Sequence, residues 1–344
     1  MFVFKYLGMR KKFLLVVFFV IFLIIVSIII KKNKRTQIKP KENKNRKYEL
    51  VIELPLLSTF KDAYRIDIIE KKLLVISENI VYEYDLDKHL ILDSLTLSGA
   101  YTCTKILDTL VIFNTDTKSI QYYFQNKKIK ELPLSNAGDD AIVCEQGIYY
   151  FTKGDVYNFN EYTISKVNDS LKFKIMLALN DQMYGVDSLS KSHYIEGRIR
   201  NLDSNNILYL PYNFKKIFVI NKRSGQYSIH NTIEEKEKVI FNRIESKYDG
   251  STMIKFEPND GIEFVHFCLA INKKYVMINS SDISYDADEA FALIDFYDAT
   301  TFKYQFTKKI KNILQKDQVI FDIKADTNFL YVLTGSGNIY KIKI

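Results

Sequence analysis

Tryptophan is absent from this 344-residue chain, and histidine and cysteine are scarce, at four and three copies. Without Trp there is no Trp-Asp dipeptide to mark a repeat. Cys103, Cys144 and Cys268 form no CxxC pair and have no His at metal-ligand spacing. An odd count gives little support to a disulfide framework, so the three are expected to be free, buried thiols acting as small hydrophobes. The histidines, His89, His193, His230 and His266, are scattered, and a metal-dependent site would need several of them to converge. No cofactor is implied, and no catalytic constellation stands out.

The net charge of +8 invites a nucleic-acid reading, but the charge is unevenly spread. Residues 1–47 hold 13 Lys or Arg against a single acid, Glu42, and the remaining 36 bases face 40 acids. Removing the first 47 residues therefore leaves a mildly acidic chain, and nucleic-acid binding is not expected. Residues 31–47, KKNKRTQIKPKENKNRK, contain no apolar residue but Ile38 and read as a basic, self-repelling linker.

Between the basic flanks runs FLLVVFFVIFLIIVSIII, Phe13 to Ile30, in which Ser27 is the one residue that is not strongly apolar. As a helix it would span about 27 Å, close to the roughly 30 Å hydrocarbon core of a bilayer. The run is longer than the roughly 7–15 residues of a secretory signal. Neither an Ala-x-Ala site nor a lipobox-type Cys follows it. The expectation is an uncleaved single-pass anchor preceded by a basic tail, residues 1–12, with the flanking Lys and Arg against anionic headgroups. Orientation is contested. Counting basic residues favours a cytoplasmic C-terminal side, whereas a charged start before a long apolar run is how export anchors begin. The second reading places the remaining domain outside the cytoplasm, on a bacterial inner membrane.

From Tyr48 onward, short runs of Val, Ile, Leu, Tyr and Phe alternate with Asp, Asn, Lys, Ser and Gly, which is all-β grammar. One unit recurs, with an apolar strand, a polar turn, an alternating aromatic strand, a second turn and a third strand. Its copies begin at Lys71 (KKLLVISENIVYEYDLDKHLILDSLTL), Asp108 (DTLVIFNTDTKSIQYYFQNKKIKELPL), Gln146, Asn205, Lys273 and Thr327. Each follows a short apolar stretch that would serve as a first strand: YRIDII, YTCTKIL, DAIVCE, IEGRIRNL, FVHFCLAI and VIFDIKA. Six units of four strands predict a six-bladed β-propeller over 48–344. Uneven spacing leaves seven blades or an irregular sandwich pair open. The last unit lacks its outer strand, and YELVIELPL, Tyr48 to Leu56, is a strand without a unit, so strand 48–56 is expected to pair into the last blade and close the ring.

In this strand pattern the chain resembles the six-bladed β-propellers found as exported or lipid-anchored proteins in Bacteroidetes-like bacteria, and more loosely NHL-type propellers. The resemblance implies a propeller fold and loops suited to binding. Candidate site residues are few. Arg198 and Arg200, at alternate positions of IEGRIRNLD, would point to one side of an inner strand. Facing the central channel they could grip a carboxylate or phosphate, and facing outward they would pair with Glu196 or Asp203. Tyr64 and Tyr101, at the entries to inner strands, are expected either to pack or to rim a binding face. Asp282, Asp286, Asp288 and Glu289 form the most acidic cluster, but lack the Asp-x-Asp-x-Asp-Gly loop that calcium would favour. The function expected is a membrane-anchored binding or scaffold module for a protein, peptide or glycan. The alternatives are a hydrolase or lyase with its site in the axial channel and a subunit of an envelope assembly or sensor.

Overall fold

The computed structural model describes residues 45–51, 56–134, 137–144, 147–152, 163–166, 172–174, 197–234, 241–248, 251–258, 266–286, 289–311 and 319–344. The apolar run Phe13 to Ile30 lies outside them, and among the described residues no helix is long and apolar enough to cross a membrane.

The chain enters through two short strands, β1 (Tyr48–Val51) and β2 (Leu56–Thr59). Two meanders follow: β3 (Ala63–Ile69), β4 (Lys72–Ser77), β5 (Ile80–Asp85) and β6 (Leu90–Thr96), then β7 (Ala100–Ile106), β8 (Thr109–Asn114), β9 (Ser119–Phe124) and β10 (Lys127–Pro133). The third is β11 (Ala137–Cys144), β12 (Gly147–Thr152), β13 (Thr163–Lys166) and β14 (Lys172–Lys174). The fourth is β15 (Gly197–Asn201), β16 (Asn206–Pro211), β17 (Lys216–Asn221) and β18 (Tyr227–Asn231). A two-stranded ribbon, β19 (Phe241–Tyr248) and β20 (Ser251–Pro258), precedes β21 (His266–Ile271), β22 (Tyr275–Asp286), β23 (Glu289–Asp298) and β24 (Tyr304–Lys311). The last three strands are β25 (Ile320–Ala325), β26 (Phe329–Thr334) and β27 (Asn338–Lys343). Five sheets thus have four strands and one has five, with the ribbon apart.

The first strands neighbour one another in the cycle β3, β7, β11, β15, β21, β25 and back to β3. That cyclic order makes the domain a β-propeller, with one strand of each sheet nearest the axis. Burial follows from position. The second strands are apolar along their length, as in KLLVIS, NILYLP and FLYVLT, because a neighbouring sheet covers each face. Outer strands such as LILDSLT and KKIKELP are exposed nearly throughout. The apolar clusters lie between successive sheets, with Tyr331 and Leu333 of β26 packed against Leu73 and Val75 of β4, and Leu208 of β16 against Val276 and Ile278 of β22.

The hairpins share a device. Asp203, Asn272 and Asp326 each use Oδ1 to accept backbone N–H groups two and three residues on, between a first and a second strand. Asp85, Asn221 and Asp298 do the same between a third and a fourth strand. Such Asx turns satisfy the backbone locally at each reversal.

The entry segment differs from the single clasp expected over 48–56. It is divided between two sheets. Tyr48–Val51 runs parallel to β24 as a fifth strand, and Leu56–Thr59 pairs antiparallel with β27 to complete the last sheet. Gly337 holds this second contact, since Phe60 N donates to its carbonyl at 2.9 Å and its φ of 79° suits glycine. A Cβ there would land on the Phe60 carbonyl. The basic linker expected over 31–47 is also shorter at its end, because Arg46 is buried in the β21–β24 sheet. One base in a charge run looks like its neighbours until its distant partner is known.

Candidate functional site

Alternate residues of an inner strand share a side, and the described inner strands repeat polar pairs at that spacing. They are Arg65 and Asp67 on β3, Thr102 and Thr104 on β7, Arg198 and Arg200 on β15, and Asp322 and Lys324 on β25. Their contacts fall into successive levels along the strands. At the first level, the Arg65 guanidinium lies 4.4 Å from the centroid of the Tyr101 ring, and its Nε donates to the Tyr101 carbonyl at 3.2 Å. Arg198 Nη1 donates to the Tyr101 hydroxyl at 3.3 Å, and its guanidinium lies 5.6 Å from the Tyr212 ring. Such cation–π contacts gain strength as water is excluded.

At the second level, Arg200 Nη2 meets Asp322 Oδ1 at 3.4 Å, while Asp322 also accepts the backbone N–H groups of Ile66 and Ile323. At the third, Lys324 Nζ donates to Asp67 Oδ1 at 2.9 Å. A cavity of about 200 Å³ opens beside these groups, and Thr102, Thr104, Asn201 and Ala270 contribute to its wall. Arg65, Arg198 and Arg200 are all buried, as is Asp322.

The reading of Arg198 and Arg200 as a pair facing one side meets a fuller set, because Arg65, Asp67, Asp322 and Lys324 join them. YRIDII and VIFDIKA carry the same alternation of charged residues as EGRIRN, and this recurrence is the signal that could have found them. Arg200 meets Asp322, and Glu196 lies outside the described residues. Asp203 instead caps its own turn.

Tyr64 and Tyr101 lie within inner strands rather than in the loops ahead of them. The Tyr64 hydroxyl donates to the Ala100 carbonyl across to the next sheet, and burial pushes that phenol up to about 12. Tyr101 also meets Phe113 edge-on, with centroids 6.3 Å apart. Asp282 and Asp286 fall at the end of β22 and Glu289 starts β23, with Asp286 paired to Glu289. The hairpin strands therefore run further than expected, and Asp288 lies outside the described residues. Among the described residues no group of three His, Cys, Asp or Glu could hold a metal ion.

Cys103 and Cys268 are free and buried on first strands, and desolvation pushes both thiols far above their ordinary range. A protonated, buried thiol is a poor nucleophile. Cys144 lies in β11. His89 occupies a turn with a φ of 55°, and His230 on β18 lies 4.5 Å from the Phe302 ring, its basicity lowered by burial. His193 lies outside the described residues, and His266 opens β21. At the axis Asp67 meets Lys324 and Asp322 meets Arg200, so both carboxylates are held by cations.

No protein-family model matches the chain, and no curated protein does. Similar solved structures include the Pan2 WD40 domain of Neurospora crassa, 6% identical over 82% of this chain and 88% of that one, with a TM-score of 0.47. A catalytically inactive virginiamycin B lyase from Staphylococcus aureus with quinupristin is 13% identical over 85% and 98%, with a TM-score of 0.47. Hsv2 of Kluyveromyces lactis is 10% identical over 80% and 90%, with a TM-score of 0.43.

Proposed function

We propose that this chain is a single-pass membrane protein whose six-bladed propeller is a binding module for a protein, peptide or glycan. The partner is engaged on the face where the inner strands begin. The observation that carries the reading is the gathering of Arg65, Tyr101 and Arg198, at the entries to β3, β7 and β15, with Tyr212, just past the end of β16. Arg and Tyr are the side chains that dominate recognition surfaces, since they bring large contact area and directed hydrogen bonds. The sheets built on β3, β7, β11, β15, β21 and β25 support the count of six blades. The anchor reading rests on the apolar run Phe13 to Ile30 and its basic flanks, and an inner-membrane location with the propeller outside the cytoplasm follows from reading them as an export device.

Full-length protein in detergent, immobilised and exposed to envelope extract, should retain a partner that the Arg198→Ala and Tyr101→Ala variants lose. Identical retention by all three would sink the assignment to this face. A topology reporter fused at Ile344 tests the membrane side, and a cytoplasmic signal would overturn the location.

A further inference from the structure

The segment ahead of β1 ends in a built socket. Arg46 forms a two-pronged pair with Asp295 of β23, Nε to Oδ1 at 3.2 Å and Nη2 to Oδ2 at 2.9 Å, and Nη2 also donates to Ser280 Oγ of β22 at 2.9 Å. Thr307 Oγ1 of β24 donates to the same carboxylate at 2.5 Å. Lys47 is fixed through its backbone, its N–H donating to Tyr304 Oη and its carbonyl accepting from Thr307 N, both at 2.8 Å. Side-chain exposure is 1% for Arg46 and 0% for Asp295. Among the described residues, the titratable or charged groups that bear on this socket are Glu234 after β18, Tyr297 of β23, Tyr304 and Lys309 of β24, and Tyr48 beside Arg46.

We propose that Asn45–Val51 is a proton-linked clasp, docked on the β21–β24 sheet when the Asp295 carboxylate is ionised and released when that carboxylate takes up a proton. The segment lies along a sheet edge, so it can leave without unthreading the ring, and β2 holds the closure independently. Four influences set the charge on Asp295. Burial pushes its carboxyl up, Arg46 pulls it down, Glu234 raises it further, the Thr307 hydrogen bond lowers it, and the outcome is about 7. In the proposed undocked state Asp295 stays enclosed within the sheet and loses the downward pull of Arg46, so the proton binds more tightly there than in the docked state. Docking therefore expels a proton over the interval from about 7 up to the undocked value, and is favoured as pH rises through it.

The chain contains no Trp, so Tyr48→Trp provides a single indole on the clasp. In the full-length protein in detergent micelles, acrylamide quenching of that indole should be weak at pH 8.5 and should grow as the pH falls to 5.5. The docking equilibrium should change by at most about tenfold per pH unit, the limit for one linked proton. Arg46→Gln and Asp295→Asn should each leave the indole accessible and the pH response flat, with the sheet signal in circular dichroism retained. Should Asp295→Asn fail to fold, Arg46→Gln, which leaves the interior carboxyl in place, decides alone. A quenching curve that is flat across this range in the Tyr48→Trp protein, or a slope that survives Arg46→Gln, overturns the proposal.

Discussion

Two buried arginine–aspartate pairs occupy different kinds of place in this propeller. Arg200 and Asp322 join inner strands β15 and β25, whose backbones are locked into sheets, while Arg46 and Asp295 join an entry segment to a sheet interior. The second pair has better geometry, two prongs near 3 Å against one at 3.4 Å, yet one of its members is carried by a segment that can leave. Geometry and permanence are therefore separate properties, and permanence follows from what the backbone allows. Removing one partner of a fixed pair strands a charge, whereas removing one partner of a releasable pair lets the other return to water.

The largest effect should come from Asp322→Ala. It leaves Arg200 buried beside the axis and withdraws the acceptor from the Ile66 and Ile323 N–H groups, at a cost of about 3–5 kcal/mol in chemical denaturation. Asp295→Ala should cost less, about 2–3 kcal/mol, because undocking relieves the stranded guanidinium. Equal losses in the two variants would break the distinction. Arg46→Met combined with Asp295→Leu should recover most of what Asp295→Ala loses, as apolar replacements of buried ion pairs often do.

A pH titration sharpens the comparison further. The folded value for Asp295, about 7, lies above the ordinary aspartate value of 3.8, so its contribution to global stability is complete below about pH 4 and is lost as pH rises through 7. Clasp docking runs the other way and strengthens above neutrality. Denaturation midpoints should thus fall between pH 4 and 7 while indole protection rises above 7, and Asp295→Asn should remove both trends. The smallest effect belongs to Lys71→Ala. Its partner Asp87 and the lysine itself are exposed, and the denaturation midpoint should not move.

Much of the architecture was legible because it is written locally. The second strands announce themselves as unbroken apolar runs, and the turns as Asp or Asn followed by small or polar residues. The axial chemistry was half legible. EGRIRN stands out for its two alternating arginines, while in YRIDII and VIFDIKA the same alternation mixes signs and is hidden within a strand pattern. Arg46 was not legible at all. Its partner is 249 residues away, and nothing in KENKNRK separates the base that enters a protein interior from those that face water. The division of the entry strand has the same origin, since partners on β24 and β27 are set by the ring rather than by the strand's own residues.

The closure made by β2 and β27 also imposes an order in time. Thr59 and Asn338 are 279 residues apart, so at a synthesis rate of about 5–20 residues per second the strand near the start waits on the order of 15–60 s for its mate. Throughout that interval the newborn chain holds an open sheet edge, and for most of it Asp295, the counter-ion of Arg46, has yet to be made; Asp295 nevertheless precedes Asn338. The entry segment can therefore be seated while the ring is still incomplete, with β2 already carried to the neighbourhood where the chain's end will arrive.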